Sequence, residues 1–190
     1  MGAPCMAYSV AMDALLRFLH ILSGIVWIGH LYFFNLTNVP VFKFAIANGN
    51  PDQKGGPSLI LRALWWFRWG AMLTLLFGLA LFHVRAQASG LGDMDFLTKT
   101  MEGQYIGVGM LLGIVMWFNV WFIIWPAQKV VLGNNLQIAK GVADDQKAKL
   151  EAQNKPLAAR AKMASRANFW ISLPMLLLMV AASHGWFFFS

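Results

Sequence analysis

The sequence predicts an all-α integral membrane protein, a four-helix bundle with both termini on one side and a partly helical loop between spans three and four. Three observations predict it. Hydrophobic residues make up 58% of the chain and charged ones 12%, half the charge of a soluble domain. The mean hydropathy is +0.57. Four separate runs are each long enough, at about 20 apolar residues, to cross a bilayer as a helix.

The first run covers 14–36 and the second 59–84. The third, 105–125, is expected to end at Pro126, which has no N–H to continue the helical ladder. The fourth covers 168–188. Together they form a single membrane domain over 1–190. Nine Trp and fifteen Phe suit a protein with two aromatic-rich interfaces. One such belt is WWFRW, Trp65 to Trp69, with Arg68 snorkelling from it. The single cysteine, Cys5, excludes an intramolecular disulfide, a CxxC redox pair, a CxxCH haem attachment and cysteine-rich metal sites. MGAPCMAYSVAMDALLR lacks the basic leader of a cleavable signal, and Met6 stands where a myristoylation motif needs Ser or Thr.

Charge sets the orientation. The two connections that share a side hold twelve of the fifteen Lys and Arg, from Lys43, Lys54, Arg62 and Arg68 through Lys129 to Arg166; the terminal side holds Arg17, Arg85 and Lys99. By the positive-inside rule these connections are cytoplasmic and both termini lie outside. The net charge of +7 is thereby topological, and nucleic acid is not an expected partner. The cytoplasmic stretch 127–166 is rich in helix formers with Pro156 as a break, which predicts one or two helices at the membrane surface. NGNPDQKGGP, 48–57, reads as a turn-rich loop.

All four histidines fall in the spans, and an ionisable residue at membrane depth points to function. Alternation of direction places His20, His83 and His184 toward the outer leaflet. His30 lies about 15 Å further along span one, at about 1.5 Å rise per residue. With no carboxylate deep in any span, haem b suits them better than a bare metal: its iron takes axial imidazoles and its ring needs an apolar slot in a bundle. His20 is the expected ligand from span one, with His184 or His83 opposite. Ser23, Gly24 and Trp27 continue the face of His20 as a slot, and Gly109 and Gly113 form a GxxxG that admits a backbone or a flat cofactor. Arg17, one turn outward, is placed to pair with a propionate. A second haem through His30 would need an unusual partner such as Met72, or a five-coordinate iron; otherwise His30 is a hydrogen-bonding residue. Asn119 is expected in a helix–helix polar contact, and Pro174 in a kink.

LRFLHILSGIVWIGH, WFRWGAMLTLLFGLAL, VWFIIWPAQKVV and NFWISLPMLLLMVAASH resemble, in the same order, the membrane domain of bacterial membrane-bound urate oxidase, the urate hydroxylase N-terminal family. FIIWPAQK followed by the Ser-Leu-Pro run that ends at His184 is the most specific element. Span one alone also resembles, more loosely, the membrane haem protein that oxidises protoporphyrinogen and copper-resistance membrane proteins. The urate oxidase resemblance implies a cytochrome-linked redox role in the bacterial inner membrane, and family histidines match His20 and His184. Longer family members carry further spans and a periplasmic cytochrome c domain. Here 85–104 is a short connection and no CxxCH occurs, so a cytochrome c would be a separate protein.

Three functions follow as alternatives. The first is a b-type electron-transfer protein serving a periplasmic cytochrome c or quinone. The second is a haem-dependent urate-hydroxylase-like oxidoreductase. The third is an accessory subunit of a larger respiratory or oxidase complex.

Overall fold

A computed structural model describes residues 3–37 and 59–186. The expected loop at 48–57, Lys43, Lys54 and the last two residues of the expected fourth span lie outside the described residues. The chain runs as α1 (Ala3–Tyr32), extended by a π-helical turn (Phe33–Thr37), then α2 (Leu59–Ala88) and the short α3 (Asp93–Lys99). Next come α4 (Met101–Phe118), a second π-helical turn (Asn119–Ile124), α5 (Trp125–Ala139) and α6 (Asp144–His184). Among the described residues there is no strand. Four stretches, Val10–Thr37, Ile60–Ala88, Met101–Ile138 and Asp144–His184, are long and apolar enough to cross a membrane. The chain is a multi-pass helical membrane protein.

The long helices turn many large apolar side chains outward as well as inward. On α1, Phe18, Ile21, Leu22 and Ile25 are exposed at helical spacing, while Ser23, Trp27 and Leu31 on the opposite stripe are buried. On α4, Leu111, Val115 and Phe118 face out and Gly109 and Met116 face in. In water such surfaces would aggregate; against lipid they cost nothing, and helix association rests on close packing and interhelical hydrogen bonds.

The helices form two antiparallel pairs. In the first, α1 and α2 approach closely at small residues: a Cβ on Gly70 would stand 3.1 Å from the Trp27 backbone nitrogen, and Thr74 Cγ2 lies 3.8 Å from the Cβ position of Gly24. In the second, α4 and α5 run against α6. The pairs share one core in the half nearer the α5–α6 turn, built from Trp27, Leu31, Phe67, Met116, Val120 and Met175 among others. In the half nearer the termini, the buried cluster of Tyr105, Ala181 and Ala182 draws on α4 and α6 alone.

Pro126 does not end the third span. It sits at the start of α5, and the helix continues to Ala139. The preceding π turn makes this possible. The Trp125 N–H reaches back to the Val120 carbonyl, and this wider ring gives the proline room that an α turn would deny it. The turn disturbs the ladder around Met116, whose carbonyl accepts the Asn168 side-chain amide at 2.9 Å. Asn119 in turn donates to Asn168 Oδ1 at 2.8 Å. Asn119 is thus the interhelical polar contact expected of it.

Pro156 is not a break either. The stretch 127–166 is a helical hairpin, in which α5 and α6 continue out of the bundle and are joined by a turn with Gly141 at φ 86°. Asn134 donates to Gln153 and Asn154 at 3.0 and 2.9 Å, and Asn154 donates back to Asn135 at 2.9 Å. These clasps flank Pro156 and hold the helix through it, a tertiary constraint overriding local preference. Pro174 also lies inside α6, which runs on to His184.

Candidate functional site

The terminal half of the bundle carries the histidines that sequence depth brings to one end. The structure also gives their facing directions. His20 points from α1 into α2. Its Nδ1 lies 2.9 Å from the Thr74 carbonyl, and its ring fills a notch that exists because residue 78 is glycine; a Cβ there would stand 2.8 Å from His20 Cε1. Thr74 keeps this turn in place by bonding its own hydroxyl to the Gly70 carbonyl at 2.7 Å. Ser23, buried one turn on, donates to the Leu19 carbonyl at 2.6 Å.

His184 ends α6. It is exposed, with Nδ1 2.9 Å from the Val180 carbonyl and its ring 5.0 Å from that of Trp186. His83 is exposed on α2, and its Nδ1 sits 3.0 and 2.9 Å from the two oxygens of Asp93 at the start of α3. His30 lies in the other half, with Nδ1 2.7 Å from the Val26 carbonyl and its ring 6.3 Å from Phe34. The ring contacts of His20 are thus on α2, those of His184 on its own helix, and those of His83 on α3.

A carbonyl oxygen only accepts, so in His20, His30 and His184 the neutral ring carries its proton on Nδ1. That leaves the Nε2 lone pair unprotonated. A metal-ligating histidine is oriented in this way, its other nitrogen donating to a carbonyl or carboxylate. That tautomer is one able to ligate a metal, while the His20 ring packs against Thr74 and Gly78 of α2 and the His184 ring against Val180 of α6. Among the described residues no group of three or more His, Cys, Asp or Glu is gathered to hold a bare metal ion.

The other expected site residues find protein partners. Arg17 donates to Asp13 Oδ2 at 2.8 Å. Arg85 extends that pair across the bundle, 3.8 Å from Asp13 and 2.6 Å from Glu102 of α4. Gly24 and Trp27 are turned to α2, and Trp27 is 3% exposed with its indole N–H lacking an acceptor. Gly109 faces Met179 of α6, whose Cε is 3.0 Å from the Cβ position, whereas the Cβ position of Gly113 has open space.

The sequence reading missed Asp13, Thr74, Gly78, Glu102 and Asn168. Asp13 had a signal, an acid four residues before Arg17 on one helix. Glu102 opens a span and Gly78 interrupts one, but neither pattern names its partner.

The comparisons with known proteins point to one family. No curated protein and no solved structure matches the chain. The sequence model of the family described as urate oxidase N-terminal matches residues 94–190, which takes in α3 to α6, both proline-bearing spans and His184. That match covers half of the sequence, and the chain belongs to the urate oxidase N-terminal family.

Proposed function

We propose that this domain is a b-type haem protein of the bacterial inner membrane, moving electrons near the periplasmic face to or from a separate cytochrome c or a quinone. The observation that carries the reading is the tautomer set by the carbonyl bonds of His20 and His184, with each Nε2 left as a donor in the same half of the bundle. In that half the buried apolar cluster draws on α4 and α6 alone, and Arg85 with Asp13 and Glu102 links the two helix pairs. The charge asymmetry puts the hairpin in the cytoplasm and the termini in the periplasm.

Haem b, when bound, supplies a one-electron couple whose potential follows its axial ligands and burial. The chain's own residues do the rest. Thr74 and Gly78 fix the His20 ring. Val180 orients His184, and the Trp186 ring lies against it. Arg17 and Arg85 lie at the same end, already paired with Asp13 and Glu102, so a haem propionate would have to displace a carboxylate to bind either of them.

The family match favours a second reading, in which this chain is the membrane part of a urate-oxidising oxidoreductase and His20 and His184 keep the same roles. A reduced-minus-oxidised absorption spectrum of the purified chain tests both. Sharp b-type bands, lost in His20→Ala and His184→Ala and kept in His83→Ala, are expected. Retention of a low-spin spectrum on adding carbon monoxide favours electron transfer; binding of the gas favours the oxidase reading. A folded chain without bands would overturn both, leaving an accessory subunit of a larger redox complex.

A further inference from the structure

The half of the bundle away from the histidines carries a second cluster. The Arg68 guanidinium lies 4.1 Å from the ring centroid of Trp125, 4.8 Å from that of Trp121 and 5.5 Å from that of Trp69. Ring faces attract a cation, yet they do not neutralise it. No carboxylate among the described residues pairs with Arg68, and both its Nε and the Trp121 indole N–H are buried without an acceptor. The sequence has no Asp or Glu between Glu102 and Asp144, nor after Glu151, and Asp52, ahead of α2, lies outside the described residues. Beside Arg68 is a cleft of about 280 Å³ lined by Leu61, Arg62, Trp65, Trp66 and Trp125. Trp125 is common to both features. Arg62, exposed, also has no ion pair among the described residues.

Depth defines what this cluster meets. Arg85, Asp13 and Glu102 mark one boundary of the membrane. About 20 residues separate Trp65 from Arg85, or roughly 30 Å of helix, the thickness of a hydrocarbon core. Arg62 thus stands at the opposite headgroup level, and Arg68 about 9 Å further in, about 5 Å beyond Trp65 and within snorkelling reach. A continuous exposed stripe leads from the cleft into the membrane along α2: Trp65, Trp69, Leu73 and Leu76, spaced three or four residues apart.

We infer that the Arg62–Arg68 cleft is a binding site for one anionic phospholipid. The headgroup phosphate meets the Arg62 and Arg68 guanidinium groups, neither of which has an ion pair among the described residues, and an acyl chain lies along the Trp65–Leu76 stripe. Charge complementarity selects the headgroup, since two cations that meet no carboxylate among the described residues favour an anion at this depth. The apolar stripe selects a lipid over a free ion.

Native mass spectrometry of the full chain in detergent, given equal amounts of phosphatidylglycerol and phosphatidylcholine, tests this. One equivalent of phosphatidylglycerol should be retained in preference to phosphatidylcholine. Arg62→Gln should lower that retention about fivefold, the effect of one surface cation on an anionic lipid, without changing phosphatidylcholine binding. Arg68→Lys, which keeps the charge but loses the planar stack, should fall between. Arg62 is exposed, so its variant folds even where Arg68 variants do not, and it alone decides. Equal retention of both lipids, or undiminished phosphatidylglycerol in Arg62→Gln, would overturn the site. Displacement of the lipid by millimolar inorganic phosphate would assign the cleft to a soluble anion, and displacement by a short-chain quinone to a neutral ring; either result overturns it too.

Discussion

The imidazole of His20 occupies the space that a side chain at residue 78 would take, with Cε1 2.8 Å from the Cβ position of Gly78. One helix supplies the ring, the other supplies its vacancy and, one turn away, the carbonyl that fixes it. Gly78→Ala is therefore expected to push the ring off Thr74 and to lower stability by about 1–3 kcal/mol, the usual effect of overfilling a packed site. His20→Ala removes the clash, so the double variant should be less destabilised than the two singles together predict. Thermal unfolding in detergent reads this directly, and strict additivity would show that the two residues do not pack.

Depth was legible in the sequence, and direction was not. Four spans, their order, the interhelical role of Asn119 and the placing of three histidines toward one end all follow from hydropathy and alternation. Which way His20, His83 and His184 turn depends on how each helix is rotated about its axis by packing, and on partners such as Thr74 and Asp93 that no local pattern announces. The same physics explains Pro126 and Pro156. Local preference reads both as stops, whereas a π turn and a set of Asn clasps from a neighbouring helix carry the chain through them.

Asn168 is fully buried and bonds both Asn119 and the Met116 carbonyl beside the π turn. Asn168→Leu leaves the Asn119 side-chain amide unsatisfied in a membrane interior and the Met116 carbonyl with the Asn119 backbone N–H alone. A loss of about 1–3 kcal/mol is expected, with the unfolding midpoint falling accordingly. The Asn119→Leu, Asn168→Leu pair should recover part of that loss, because no side-chain amide is then left without a partner. An unfolding midpoint unchanged in Asn168→Leu would mean that the π turn is held by packing alone.

Arg85 is the ionic link between the two helix pairs in the terminal half, touching Asp13 of α1 and Glu102 of α4. Its side chain is 26% exposed and its partners 28% and 29%, so water and salt screen the contact. Arg85→Gln should cost about 1 kcal/mol or less. The difference from the unaltered chain should shrink between low and high ionic strength. A cost of several kcal/mol that ignores salt would reveal a desolvated bridge instead.

The hairpin beyond the membrane gives the last prediction. Asn134 is 8% exposed and joins α5 to Gln153 and Asn154 of α6, just before Pro156. A proline inside a helix removes one backbone bond and crowds the preceding turn, so this stretch of α6 depends on its neighbour more than an ordinary helix does. Asn134→Ala should release it. Amide hydrogen exchange is expected to quicken by about tenfold in 144–158, the equivalent of about 1.4 kcal/mol of local opening, while 168–184 within the membrane stays protected. The companion variant Pro156→Ala should restore protection, because the helix then closes its own ladder without the clasp. If exchange in 144–158 is unmoved by Asn134→Ala, the helix is held by packing further along α5, and the Asn contacts only decorate it.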